Sequence, residues 1–212
     1  MKTTKVLPVV ALLVDIVASR TAQRDALHAD VLRAVAGVNA AVEPLHELRP
    51  TVGDELQGVY PSLGAALTAG FSLRLALAPR WDARCGLGGG QVVVVDEARG
   101  IQDGSAWWQA REAIDWVKGQ AAKPGYEAVR TAVRDERATA TPSADAVSRL
   151  IDAHLGRLRP GALSTLRGML DGLDNAEIAG REGISESANS QRVRNNDLRP
   201  LMDAIVALGQ LP

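Results

Sequence analysis

The sequence is short of several things: one cysteine, four lysines, three histidines, and no apolar run long enough to cross a bilayer. Each shortage excludes something. Cys85 alone forms neither an internal disulfide nor a cysteine-ligated zinc site, and a single thiol fits a reducing compartment. The histidines do not cluster, and no Ser–His–Asp arrangement stands out. His154 falls on an apolar helix face and reads as packing. Neither sign of charge dominates. Residues 1–135 hold 15 Lys/Arg and 15 Asp/Glu, and residues 136–212 hold 9 and 10, so any nucleic-acid contact must rest on a local patch. The run Val6–Val14, after Lys2 and Lys5, imitates a short signal peptide. Asp15 interrupts it where small residues should stand, and the run is too short to span a membrane. It reads as a buried strand of an uncleaved, cytoplasmic protein without membrane association.

What is present is ordinary globular composition, 46% hydrophobic and 23% charged. Val6–Val17 reads as a central strand, apolar on both faces. Thr21–Ala41 reads as a helix. His46–Val52 and Glu55–Tyr60 read as a hairpin, turned at Gly53-Asp54. Pro61–Leu77 is an apolar helix, Arg84–Val95 a strand, and Asp103/Ser105 to Lys118 a helix. Glu127–Arg134 alternates weakly, as a last strand would. This order predicts an α+β fold: a ferredoxin-like (cyclase- or palm-like) sandwich over 1–135. Residues 136–143 read as a linker, and 144–212 as an all-α domain containing a helix-turn-helix over 175–196. Helices are expected at Ala144–Leu158 and from Pro160.

The helix-turn-helix reading rests on spacing. Asn175–Glu182 is a short helix, Gly183-Ile184-Ser185 a turn, and Glu186–Asn196 a second helix capped by Ser185. Ala179 is small where two helices cross, Gly183 supplies a positive φ, and Ile184 plugs the pair. Ser187, Ser190, Gln191, Arg194 and Asn195 then fall on the outer face of the second helix. No acid lies between Glu186 and Asp197. Amides and arginines there are the side chains that read base edges in DNA. Asn189 departs from the pattern, because it stands where an apolar plug is expected. In the final helix Leu198, Leu201, Met202, Ile205 and Leu208 form one stripe. It serves either as a homodimer surface or as packing against Leu163, Leu166 and Leu170.

The N-terminal part offers a second constellation. Asp15 ends the first strand and Asp54 sits at the hairpin tip, which a ferredoxin-like sheet places at one edge. Two carboxylates on rigid strands suit Mg²⁺ (or Mn²⁺), with phosphates and water completing the shell. Gly53 lets the hairpin bend. Ser19 and Arg20 open the following helix, whose N–H groups attract phosphate. The alternative is that Asp15 caps a helix and Asp54 makes a turn. Gly86–Gly90 lacks the Lys-Ser/Thr ending of a phosphate loop. Trp107 and Trp108 could stack a base but read more simply as core.

Val14–Arg20, Val52–Gly58 and Arg84–Gly90 resemble the three signatures of the SatD family, and the trailing helix-turn-helix is similar too. More distantly, the same segments resemble class III nucleotidyl cyclases and diguanylate-cyclase (GGDEF-type) palm domains. That resemblance implies metal roles for Asp15, the Ile16 carbonyl and Asp54, with Arg84–Gly90 as the strand beside the site. Such cyclases carry an Asn and an Arg one turn apart on a late helix. Here Arg111 is available as a nucleotide contact, but Trp107 stands four residues before it. No base-selecting Lys is evident near Arg49–Thr51. The expected protein is a DNA-binding regulator with a metal- and nucleotide-binding N-terminal domain, the ligand being a nucleoside triphosphate or a cyclic nucleotide. The alternatives are an active two-metal nucleotidyl cyclase or nucleotidyltransferase, and a degenerate palm serving as a protein-interaction scaffold.

Overall fold

Val9–Ile16 forms β1, and its side chains are buried on both faces because it lies inside a sheet. The computed structural model describes residues 8–18, 23–51, 54–96 and 99–212. After β1 come α1 (Arg24–Ala41), β2 (His46–Pro50), β3 (Glu55–Tyr60), α2 (Leu63–Leu77) and β4 (Ala83–Gly90). Then follow β5 (Val93–Asp96), β6 (Ile101–Asp103), α3 (Ser105–Ala121) and β7 (Thr131–Asp135). The remaining helices are α4 (Ser143–Leu155), α5 (Pro160–Leu170), α6 (Asn175–Glu182), α7 (Glu186–Asn195) and α8 (Leu198–Leu208).

The main sheet has the order β2-β3-β1-β4-β7. Its first four strands are antiparallel and β7 joins parallel to β4, so the ferredoxin-like arrangement is present with one strand added. Val10, Leu12, Val14 and Ile16 pack with α1 and α2, while Val9, Ala11 and Leu13 pack with α3. The exposed edge at β2 is blunted by Asn39 of α1. Its side chain donates to the Leu48 carbonyl at 2.9 Å and accepts the Leu48 N–H at 3.0 Å.

Three expectations need correction. The strand expected over Arg84–Val95 is two strands, and only β4 belongs to the main sheet. After Gly90 the chain is taken by the start of α3: the Gln91 carbonyl accepts from the Ala106 N–H at 3.1 Å, and the Gln91 N–H donates to Ser105 Oγ at 3.1 Å. β5 then pairs with β6 as a separate ribbon. The last strand starts at Thr131, because Tyr126–Val129 closes a turn through the Val129 N–H. The proposed dimer stripe is core: Leu198, Leu201, Ile205 and Leu208 are buried in one cluster with Leu166, and Leu163, Leu170 and Met202 pack against it. This removes the surface on which a homodimer was expected.

The connection at 136–142 carries no helix or strand, yet it is anchored. Arg137 is buried, pairs with Asp135 at 2.7 Å and donates to the Pro212 carbonyl at 3.0 Å. The N–H groups of Leu63 and Gly64 donate to the carbonyls of Pro212 and Leu211, docking the last turn on α2. Among the described residues no helix is long and apolar enough to cross a membrane.

Candidate functional site

At the end of β1 the register sets Asp15 opposite Glu55 on one side and Arg84 on the other. Opposed residues share a face of the sheet, here the α3 face. Asp15 Oδ2 accepts from Arg84 at 2.9 Å, and Lys118 of α3 lies 3.2 Å from Asp15 Oδ1. Arg111, about two turns before Lys118, clamps Glu55 with two bonds of 2.8 and 3.0 Å. Gln57 adds a third at 2.9 Å. Burial by itself would raise the Glu55 carboxyl, but Arg111 and Gln57 outweigh it and hold the group below its ordinary range.

This corner brings together Asp15 and Arg111 from the expected set. It adds Glu55, Arg84 and Lys118, which sequence reasoning missed. Only the strand register, once known, points to Glu55. Both Asp15 oxygens are engaged by cationic side chains, so a divalent ion there must displace Arg84 or Lys118. Among the described residues no group of three or more His, Cys, Asp or Glu is placed to hold a metal ion. The Ile16 side chain is buried on the opposite face, and Asp54 occupies the turn entering β3. Ser19, Arg20 and Gly53 lie outside the described residues.

Beside this corner the α3 face is only partly covered, because α3 lies over β4, β7 and β1. A groove of about 450 Å³ opens between β2–β3 and the β5–β6 ribbon, lined by Arg49, Gln57, Val59, Val94, Gln102 and Trp107 among others. Trp107 packs against the core cluster beneath α3, as expected of a core residue. Trp108 does not: it is 64% exposed and donates to Asp103 at 2.9 Å. The Cys85 thiol is buried and pushed up to about 12, which leaves it protonated and unreactive.

The third constellation is the α6–α7 pair. Asp174 opens α6 with a capping box to Glu177. Gly183 adopts φ 65° and ψ 33°, the left-handed conformation its spacing suggested. Ser185 caps α7 by accepting the Ala188 N–H at 3.1 Å. Asn189 is buried and satisfied: Thr165 donates to it at 2.9 Å, and it donates to Asn175 at 3.1 Å. A polar bridge thus replaces the apolar plug, at no cost in unpaired groups. Arg192 braces α7 from behind, donating to the Gly161 carbonyl, Thr165 and Glu182 at 2.9–3.1 Å. Ser187, Gln191, Arg194 and Asn195 are exposed, and Ser190 is half-buried against Asn175. Gln191 links Asn195 and Arg194 along this ridge. His154 touches the end of α7, with Nε2 2.9 Å from the Asn196 carbonyl.

Comparison with known proteins gives three findings. No curated protein matches the sequence. Two solved structures of a bacterial light-regulated adenylyl cyclase are similar, each at 14% identity and a TM-score of 0.42. Each alignment covers 61% of this chain, and 43% of one neighbour and 76% of the other. The family model described as SatD family matches residues 9–202, nearly the whole chain, and so the chain belongs to the SatD family.

Proposed function

We propose that the protein is a DNA-binding regulator that reads the major groove with α7. One observation carries this reading. The outward ridge of α7 presents Ser187, Gln191, Arg194 and Asn195 without an acidic side chain, on a helix whose inner face is fixed by Asn189 and Arg192. A rigid helix with exposed amides and an arginine, bonded only to one another, suits base-edge recognition. The charge around it is nearly balanced, with seven Arg against six acids over residues 157–199, so non-specific attraction to phosphate is weak.

Selection from a random duplex pool at about 50 mM salt, where phosphate contacts are strong, tests this. One sequence class should be enriched. Arg194→Ala should weaken binding to it by about 1–3 kcal/mol and relax preference at one position. Glu186→Gln, which removes an acid from the first turn of α7, should tighten binding to all duplexes. A pool that shows no enrichment would sink the proposal.

A second reading keeps the expected nucleotide. Asp15 and Glu55 stand in register beside Arg84, Arg111 and Lys118, so Mg²⁺ could exchange for a cationic side chain while the released one meets phosphate. Calorimetry with ATP and GTP should then show binding that requires Mg²⁺ and is lost in Asp15→Asn. Equal heats with and without the metal would exclude it.

A further inference from the structure

The groove between β2–β3 and the β5–β6 ribbon has no part in the DNA reading and needs no metal. On the sheet side it is lined by Gln57 and Val59, and on the ribbon side by Val94 and Gln102, with Trp107 and Arg49 completing it. Its volume of about 450 Å³ falls within the range of small-molecule sites. We propose that this groove binds a small ligand that joins a flat aromatic group to one acidic group, as a nucleoside monophosphate or an aromatic carboxylate does.

Three features select that chemistry. Trp107 on one side and the half-exposed Val94 on the ribbon give the groove apolar surface that suits a flat ring. Val94 and the nearby Leu45 are each about half exposed (48% and 52%), apolar area that a ligand would cover. The Arg49 guanidinium supplies the charge. Among the described residues its one hydrogen bond goes to the Gly100 carbonyl at 3.3 Å, and no carboxylate pairs with it. The two amides supply polar edges: Gln57 spends an N–H on Glu55 and keeps its oxygen as an acceptor, and among the described residues nothing hydrogen-bonds the Gln102 amide. Glu47 also lines the groove, so one arginine faces one glutamate and a polyphosphate brings more charge than Arg49 offsets.

Calorimetry on the full chain in EDTA, with AMP, ATP, indole-3-acetate and inorganic phosphate as probes, tests this. AMP or indole-3-acetate should bind saturably, ATP more weakly than AMP, and phosphate not at the same concentrations. Binding of AMP alone identifies a phosphate-bearing ligand, and of indole-3-acetate alone a carboxylate-bearing one. Arg49→Gln should weaken the bound probe about tenfold or more. Val94→Glu should abolish binding by placing a second acid in the groove. Both side chains are exposed, so thermal stability and DNA retention should not move, which separates this inference from the DNA reading. It is overturned if neither aromatic probe binds, if ATP or phosphate binds as tightly as AMP, or if binding survives both substitutions. Binding that requires Mg²⁺ and Asp15 instead points to the charged corner.

Discussion

Replacing Asp152 by Asn should destabilise the protein by about 3–5 kcal/mol, the range for breaking a buried ion pair. Asp152 of α4 is fully buried and accepts four hydrogen bonds. Oδ2 takes the backbone N–H groups of Arg130 at 2.8 Å and Thr131 at 2.6 Å. Oδ1 takes the Thr131 hydroxyl at 3.1 Å and the guanidinium of Arg74, a buried side chain of α2. Every partner is a donor. An asparagine offers one acceptor oxygen, so its NH₂ must face donors whichever way the amide is turned. Arg74 would keep only Asp82, at 3.8 Å. The carboxylate joins α4 to α2 and to the start of β7, so its loss should also loosen α4 from the sheet. Thermal unfolding and amide exchange of α4 measure both effects. The double change Arg74→Met with Asp152→Leu should recover much of the loss, because it removes the stranded charge. A melting temperature unchanged in Asp152→Asn would show that water serves this cluster.

That cluster was invisible in the sequence, and the reason is general. Asp152 follows Ile151 on an amphipathic helix, where an acid ordinarily faces solvent. Its burial depends on Arg74, 78 residues away. Local pattern carried the rest of α4, and it carried β1 as well, since an unbroken apolar run is buried on both faces in a central strand. The Ala179–Gly183–Ser185 spacing carried α6 and α7 for the same reason: a positive φ and a cap are properties of neighbouring residues. The stripe on α8 was legible as buried, but an amphipathic helix does not name what covers it. At the charged corner Asp15 was found from its strand end, whereas Glu55, Arg84 and Lys118 required the register and the placement of α3. Asn189 looked like an error in the motif until Thr165 and Asn175 supplied its partners.

The glycines of β4 give the sharpest contrast between pattern and packing. Gly86-Leu87-Gly88-Gly89-Gly90 lacks the ending of a phosphate loop and reads only as a loose strand, yet its alternate glycines form a track on which α3 lies. A methyl group at Gly88 would sit 2.0 Å from the Ala106 carbonyl oxygen and 2.2 Å from the Ala110 nitrogen. At Gly86 it would meet the Ala110 carbonyl oxygen at 2.4 Å. These are backbone atoms of a helix, so no rotamer change relieves the clash, and α3 must lift as a body. Gly88→Ala should therefore cost about 3 kcal/mol or more, at the upper end for overpacking. In most strand interiors the same substitution would help. Gly119, exposed on the same helix with nothing near its missing Cβ, is the internal control. Gly119→Ala should stabilise by about 0.5–1 kcal/mol through helix propensity and the unfolded chain. Chemical denaturation reads both, and opposite signs are required. Lifting α3 also moves Arg111 and Lys118 away from Glu55 and Asp15, and Trp107 away from the groove. Gly88→Ala should thus disturb the corner and the groove together, while α7, braced by α5 and α6, keeps its geometry. If Gly88→Ala were as stable as the native protein, the close packing of α3 on β4 would be wrong, and with it the placement of every side chain that α3 brings to the sheet.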